Sequence, residues 1–216
     1  MHGPIRVITV EREYGSHGGE FAHDLAERLG WKLLDAELVA GAARAAGVPE
    51  EQAARFDDRL DPWYYRYGKV FWQDSMYSTS GPCDDQIFDC ERMYSLIQNE
   101  ILDAAKGGNC VLVGRGSAFA LAGRPGCFHL FVYATMAAKR EWFERSFPGH
   151  SQRAEQEIIA ADKRRAAVIK RFFNLDWCAR GHYHMLLNAG VGTEGMIDAV
   201  LAATRLRAHE PVGTGQ

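Results

Sequence analysis

The residues with the clearest capacity for chemistry lie near the N-terminus, in Glu11-Arg12-Glu13-Tyr14-Gly15-Ser16-His17-Gly18-Gly19-Glu20. Glycines let backbone N–H groups converge on an anion, and a helix that follows adds its positive dipole end. Two phosphate-binding templates compete for the stretch. The mononucleotide pattern G-x-x-x-x-G-K-[ST] falls on Arg12, His17, Gly18 and Gly19, so its lysine position is Gly18. The dinucleotide pattern G-x-G-x-x-G falls on Glu13, Gly15 and Gly18, with Asp35 about 20 residues further on, where a ribose-binding acid belongs. The plain alternative is a strand-to-helix turn that is glycine-rich for steric reasons.

Two more groups suit an anionic ligand. Arg115 directly follows the apolar run Cys110-Val111-Leu112-Val113-Gly114, at what would be a strand's C-terminal end. Asp162 and Arg165 are three residues apart in a charge-rich segment, Arg153 to Arg171, and share a helix face. The competing reading of that segment is a solvated helix face. His182-x-His184 has the spacing of two metal ligands on a strand, but with no third ligand nearby it reads as structural, and no metal site is expected.

The elements that would position these groups follow from periodicity. Ile5 to Val10 is a β-branched run typical of a buried strand. Phe21, Leu25 and Leu29, with Ala22 and Ala26, form one face of a helix that Gly30 is placed to stop. A short strand over 31–35, an alanine-rich helix over 36–46 and an aromatic-dense stretch over 50–85 come next. A helix over 87–105 has Leu96, Ile97, Ile101 and Ala104 on one face. Strands are then expected at 110–113, 129–133 and 183–187, with helices over 135–147, 153–171 and 193–207. Alternating strands and helices imply an α/β fold, a parallel sheet with helices on both faces.

Composition narrows the function. The 216 residues carry a net charge of −3, which argues against a surface for nucleic-acid polymers. No apolar run approaches the ~20 residues that span a bilayer, and no secretory leader is expected. The five cysteines are odd in number and lack a C-x-x-C pair, which suits free thiols in the cytoplasm.

Taken together, the blocks resemble the cytidylate kinase-like family, relatives of bacterial cytidylate kinase among the P-loop nucleoside monophosphate kinases. That family's glycine loop reads R-E-[YF]-G-S-G-G, here Arg12 to Gly18. An apolar strand ending in V-G-R is matched by Val111 to Arg115. D-x-x-R followed by F-[FG]-x-x-D-W is matched by Asp162 to Arg165 and Phe172 to Trp177, and Y-x-x-x-L-N by Tyr183 to Asn188. The resemblance implies a three-layer P-loop kinase fold in one domain. Its core would cover about 1–36, 106–150 and 173–210, with a monophosphate-binding insertion over about 37–105 and a helical lid over about 150–172.

The resemblance further implies phosphoryl transfer from ATP, with Mg2+, to a nucleoside monophosphate such as CMP or dCMP. Tyr14, Gly15, Ser16, His17, Gly18 and Gly19 would cradle the donor phosphates. Asp35, Arg92 and Arg115 would serve the acceptor, with Asp35 alternatively holding Mg2+ through water. Arg12, Asp162 and Arg165 would carry catalysis, Arg12 replacing the missing lysine. This chain departs from the family at His17, at Gly116 (a sugar-reading aspartate in true cytidylate kinases) and at Ile158 (a basic lid position). A nucleotide-binding regulator without turnover and a dinucleotide-dependent oxidoreductase are the rival readings.

Overall fold

In a computed structural model, residues 3–35, 38 and 84–209 are described, the side chains of 84–93 excepted. The expected helix over 36–46, the aromatic-dense stretch and the Arg92 side chain therefore lie outside the described residues. The chain divides into two compact units, Met1–Leu34 with Gly107–Gln216 and Asp35–Lys106.

The first unit is built on five parallel strands: β1 (Val7–Arg12), β2 (Lys32–Leu34), β3 (Cys110–Val113), β4 (Cys127–Tyr133) and β5 (Met185–Asn188), in the order β2-β3-β1-β4-β5. β1 is central and its first five residues are buried, as its β-branched composition requires. Alternation along the strands sends Ile8, Val10, Val111, Val113, Leu130 and Val132 to one face. There they meet α1 (Gly18–Leu29) and the C-terminal helix Thr193–Thr204. The other face carries Phe131, packed with Phe119, Ile169, Trp177 and Tyr183. Helices thus cover both faces. Gly30 ends α1 at φ 64°, its N–H donating to Glu27 O at 3.0 Å, as its position in the sequence implied.

In the second unit, α2 (Asp84–Gly107) buries Tyr94, Ile97 and Ile101 along one stripe, while Leu96 is only half-buried. The remaining helices of the first unit are α3 (Ser117–Ala120), α4 (Met136–Ser146), α5 (Ala154–Phe173) and α6, the helix Thr193–Thr204 already met. α5 is not a solvated helix. It buries Ala154, Ile158, Ala161 and Ile169, and Ile158 joins Phe143, Tyr14 and Trp142 in a small core of its own. No described helix is long and apolar enough to cross a membrane.

β5 starts at Met185, two residues later than the sequence pattern suggests. Arg180–His182 form a 3-10 turn, so Tyr183 and His184 belong to the turn's exit. His184 donates its N–H to His129 O and receives the His129 N–H on Nδ1, both at 2.8 Å, and its ring stacks on His129 and Phe128. His182 packs on Phe119 instead. The two histidine rings therefore pack against different neighbours.

His129 is 3% exposed and shares a 2.9 Å hydrogen bond with Thr9 Oγ1. Burial, reinforced by His184, lowers its pKa to about 4. Below pH 6.5 the unfolded chain binds a proton here that the folded chain refuses until about pH 4, so stability falls as pH falls through that window. His129→Leu is expected to remove up to ~3 kcal/mol of the stability difference between pH 7 and pH 4. Denaturant unfolding of both proteins at the two pH values tests this. An unchanged pH dependence in the variant would exclude His129 as its source.

Candidate active site

All strands are parallel, so the turns after β1, β3, β4 and β5 gather at one end of the sheet, where open α/β sheets bind ligands. β1 pairs with β3 up to Val10–Val113 and with β4 up to Arg12–Val132. Beyond it, Glu13 still donates its N–H to Val132 O at 2.9 Å. The chain then turns at Tyr14-Gly15, with Gly15 at φ 75°, and enters α1 through His17.

His17 sits at φ 57°, a left-handed conformation that costs a non-glycine residue about 1 kcal/mol. The backbone here therefore does what the template's glycine does. The histidine departs from the family only in its side chain, which is turned to Glu20, Nδ1 to Oε2 at 2.9 Å. Ser16 is buried and its hydroxyl donates to Glu13 O at 2.8 Å. Gly19 faces open space, whereas Gly18 does not. A Cβ at Gly18 would stand 2.6 Å from Arg12 Cβ, and one at Gly114 would collide with Arg12 Nη1. The Arg12 side chain therefore crosses the start of α1 and ends against the turn after β3. The stem of Arg12 thus fills the space at position 18, and its guanidinium lies against Gly114.

Asp162 and Arg165, both on α5, reach this loop. Asp162 Oδ1 accepts the Tyr14 N–H at 2.7 Å, and Arg165 Nη1 donates to Arg12 O at 2.7 Å. Tyr14 was expected to offer its N–H to phosphate, but Asp162 holds it. A residue absent from the sequence expectations completes the arrangement. Lys139 of α4, 5% exposed, reaches Glu13 Oε2 at 2.7 Å and Asp162 Oδ2 at 3.0 Å. Burying an ammonium this far requires paired charge, which the two carboxylates supply. Its signal in the sequence was a lysine four residues before Phe143, the other buried residue of α4.

Glu11 was also missed. It is 3% exposed on the face opposite Val10, with Oε2 accepting from Trp177 Nε1 at 3.2 Å. Burial holds its carboxyl above the usual range, while the Trp177 bond and the charges of Arg12 and Arg165 pull the other way. Arg115 lies half-buried in a run of three left-handed residues, with Gly114 at 64°, Arg115 at 57° and Gly116 at 71°. This turn keeps Arg115 at the strand end beside β1. Asp35 opens the second unit, so no contact between it and the arginines is described.

The cytidylate kinase-like family model matches residues 7–190, which takes in every part of this site that lies in the first unit. The chain belongs to that family. No curated protein matches the sequence. Among solved structures, a protein from Eubacterium ventriosum described as uncharacterized is 18% identical, with 95% of this chain and 100% of that chain covered and a TM-score of 0.64. Shikimate kinase from Bacteroides thetaiotaomicron is 12% identical, with 93% and 99% covered and a TM-score of 0.52. Shikimate kinase from Acinetobacter baumannii, solved with shikimate, is 14% identical, with 92% and 94% covered and a TM-score of 0.51. At these identities the likeness is one of fold. The fold of this cytidylate kinase-like chain is that of the P-loop kinases.

The geometry of Arg12 makes a reversion informative. Gly18→Lys restores the template's lysine, but its Cβ collides with Arg12. Thermal melts should show a loss of about 1–3 kcal/mol from overpacking, and calorimetry should show no gain in ATP affinity. A stable variant with tighter ATP binding would mean that Arg12 does not fill the lysine's place.

Proposed function

We propose that this protein is a nucleoside monophosphate kinase that transfers the γ-phosphoryl group of ATP to CMP, dCMP or a related acceptor. Family membership supports kinase-type chemistry, and the path of Arg12 across Gly18 toward Gly114 is the observation that carries the reading. A guanidinium keeps its charge at any relevant pH and spreads donors over several phosphate oxygens.

In this reading ATP supplies the phosphoryl group and the chain supplies position and charge. The turn at Gly15 and His17 and the open start of α1 at Gly19 fit donor phosphates approached by backbone N–H groups. Arg12 neutralises charge developing between donor and acceptor. Arg115 holds the acceptor, and Arg92 and Asp35 are the sequence's further candidates for that role. Arg165 steadies the transferring group from α5, and the helix excludes water as a lid. Mg2+ fits less well. The hydroxyl expected after the lysine position is replaced by Gly19, and the Ser16 hydroxyl is turned inward to Glu13, so the described loop offers no hydroxyl at the expected place. The free cysteines support a cytoplasmic location. The regulator reading is favoured by one observation, the Tyr14 N–H already committed to Asp162.

Two measurements test the proposal. ADP release with ATP and Mg2+ against CMP, dCMP, UMP, AMP and GMP should show turnover with a pyrimidine acceptor. Arg12→Ala should lower that turnover by ~10²–10³, and His17→Gly should be neutral or faster. A wild type that binds ATP but turns over no acceptor would establish the regulator reading. For the acceptor, Arg115→Ala should weaken monophosphate binding by ~1.5–3 kcal/mol in calorimetry, leaving ATP binding and the melting temperature intact. Unchanged acceptor affinity in the folded variant would remove Arg115 from the site.

A further inference from the structure

The most heavily buried charge of α4 points at the glycine loop rather than at solvent. Lys139 is joined through 2.7 and 3.0 Å ion pairs to Glu13 and Asp162, which come from the end of β1 and from α5. Each carboxylate has a second task. Glu13 Oε2 also accepts the Ala134 N–H at 3.1 Å, and Asp162 Oδ1 accepts the Tyr14 N–H at 2.7 Å. Arg165 stands 3.8 Å from Asp162, so two cations balance two anions. The α4 backbone meets the loop independently. A Cβ on Gly15 would lie 3.3 Å from Lys139 O and 3.1 Å from Trp142 Cε3, and the Tyr14 ring meets Trp142 edge-on at 5.2 Å.

From this we infer that Lys139 is a positioning residue for the nucleotide loop: by bridging Glu13 and Asp162 it keeps Asp162 on the Tyr14 N–H and so sets the shape in which residues 15–19 receive the donor phosphates. The inference rests on the nucleotide-binding reading of that loop. Without the ammonium, Glu13 and Asp162 repel one another across a largely buried gap, and Asp162 is drawn to Arg165 and away from Tyr14. The loop then loses its tether while its glycines and Arg12 remain in place.

The effect belongs to the donor side alone. ATP affinity of Lys139→Met, by calorimetry, should fall about ten- to a hundred-fold, as displacement of a positioned group by an ångström does, with CMP affinity within about two-fold of wild type. Hydrogen exchange of the Tyr14 amide, followed by NMR, should quicken at least ten-fold. Lys139→Arg, which keeps the charge, should recover part of both. Equal losses of ATP and CMP affinity, in step with a lower melting temperature, would mark Lys139 as merely structural and overturn the inference. Should Lys139→Met not fold, Lys139→Gln, which keeps a hydrogen-bonding group but no charge, decides. Weak ATP binding with a fast Tyr14 amide supports the inference, and wild-type values for both overturn it. If the wild type binds no ATP, the nucleotide reading falls, and Tyr14 exchange by itself decides whether Lys139 holds the loop.

Discussion

A central strand buried on both faces ends here in three consecutive charged residues, and the architecture of the sheet's C-terminal end answers to that. Glu11, Arg12 and Glu13 stand at the end of β1, where β4 still flanks the strand, Glu11 buried and the other two partly so, and water cannot solvate them freely. Each must find its counterpart in another element. Glu11 draws Trp177 from the segment after α5, the Arg12 carbonyl draws Arg165, and Glu13 draws Lys139 and the Ala134 N–H. A buried polar or charged group without a partner is costly, so each of these contacts offsets a burial penalty, the Lys139–Glu13 ion pair most directly. They are also what brings α4 and α5 against the glycine loop.

The same constraint accounts for the loop's departures from the mononucleotide pattern. A lysine at position 18 and an arginine at position 12 would compete for one space, since Arg12 Cβ already lies where a side chain at 18 would begin. The glycines at 18 and 114 are therefore the room that Arg12 needs. At position 17 the pattern asks for glycine because the backbone must be left-handed, and His17 meets the demand at a modest cost. Its pairing with Glu20 carries the imidazole to one side.

Much of this was legible in the chain itself. The β-branched run before the glycines, the four-residue spacing of Phe21, Leu25 and Leu29, and Gly30 after them specify strand, turn and helix locally, because side-chain periodicity and left-handed caps are properties of neighbouring residues. Arg115 was legible too, since an apolar run long enough for a buried strand points its next residue to the sheet's C-terminal edge. Reading failed where the determinant was remote. The burial of Ile158 in α5 depends on Phe143 from α4 and on Tyr14 from the glycine loop. His184 sits in a strand-like run, yet its ring is taken by the His129 N–H.

Among the described residues, the sequence by itself determined the main strands and helices, their order, the parallel sheet and the position of the glycine loop, because these depend on period, composition and turn chemistry over a few residues. Only the tertiary structure decided which charges meet. Lys139 and Glu13 are 126 residues apart, Asp162 and Tyr14 are 148 apart, and Trp177 and Glu11 are 166 apart. No local rule pairs them, since a lysine on a helix and a carboxylate after a strand are each at ease in water. They become partners only when close packing excludes that water, and electrostatics then favours the arrangement in which the Lys139 ammonium meets both Glu13 and Asp162.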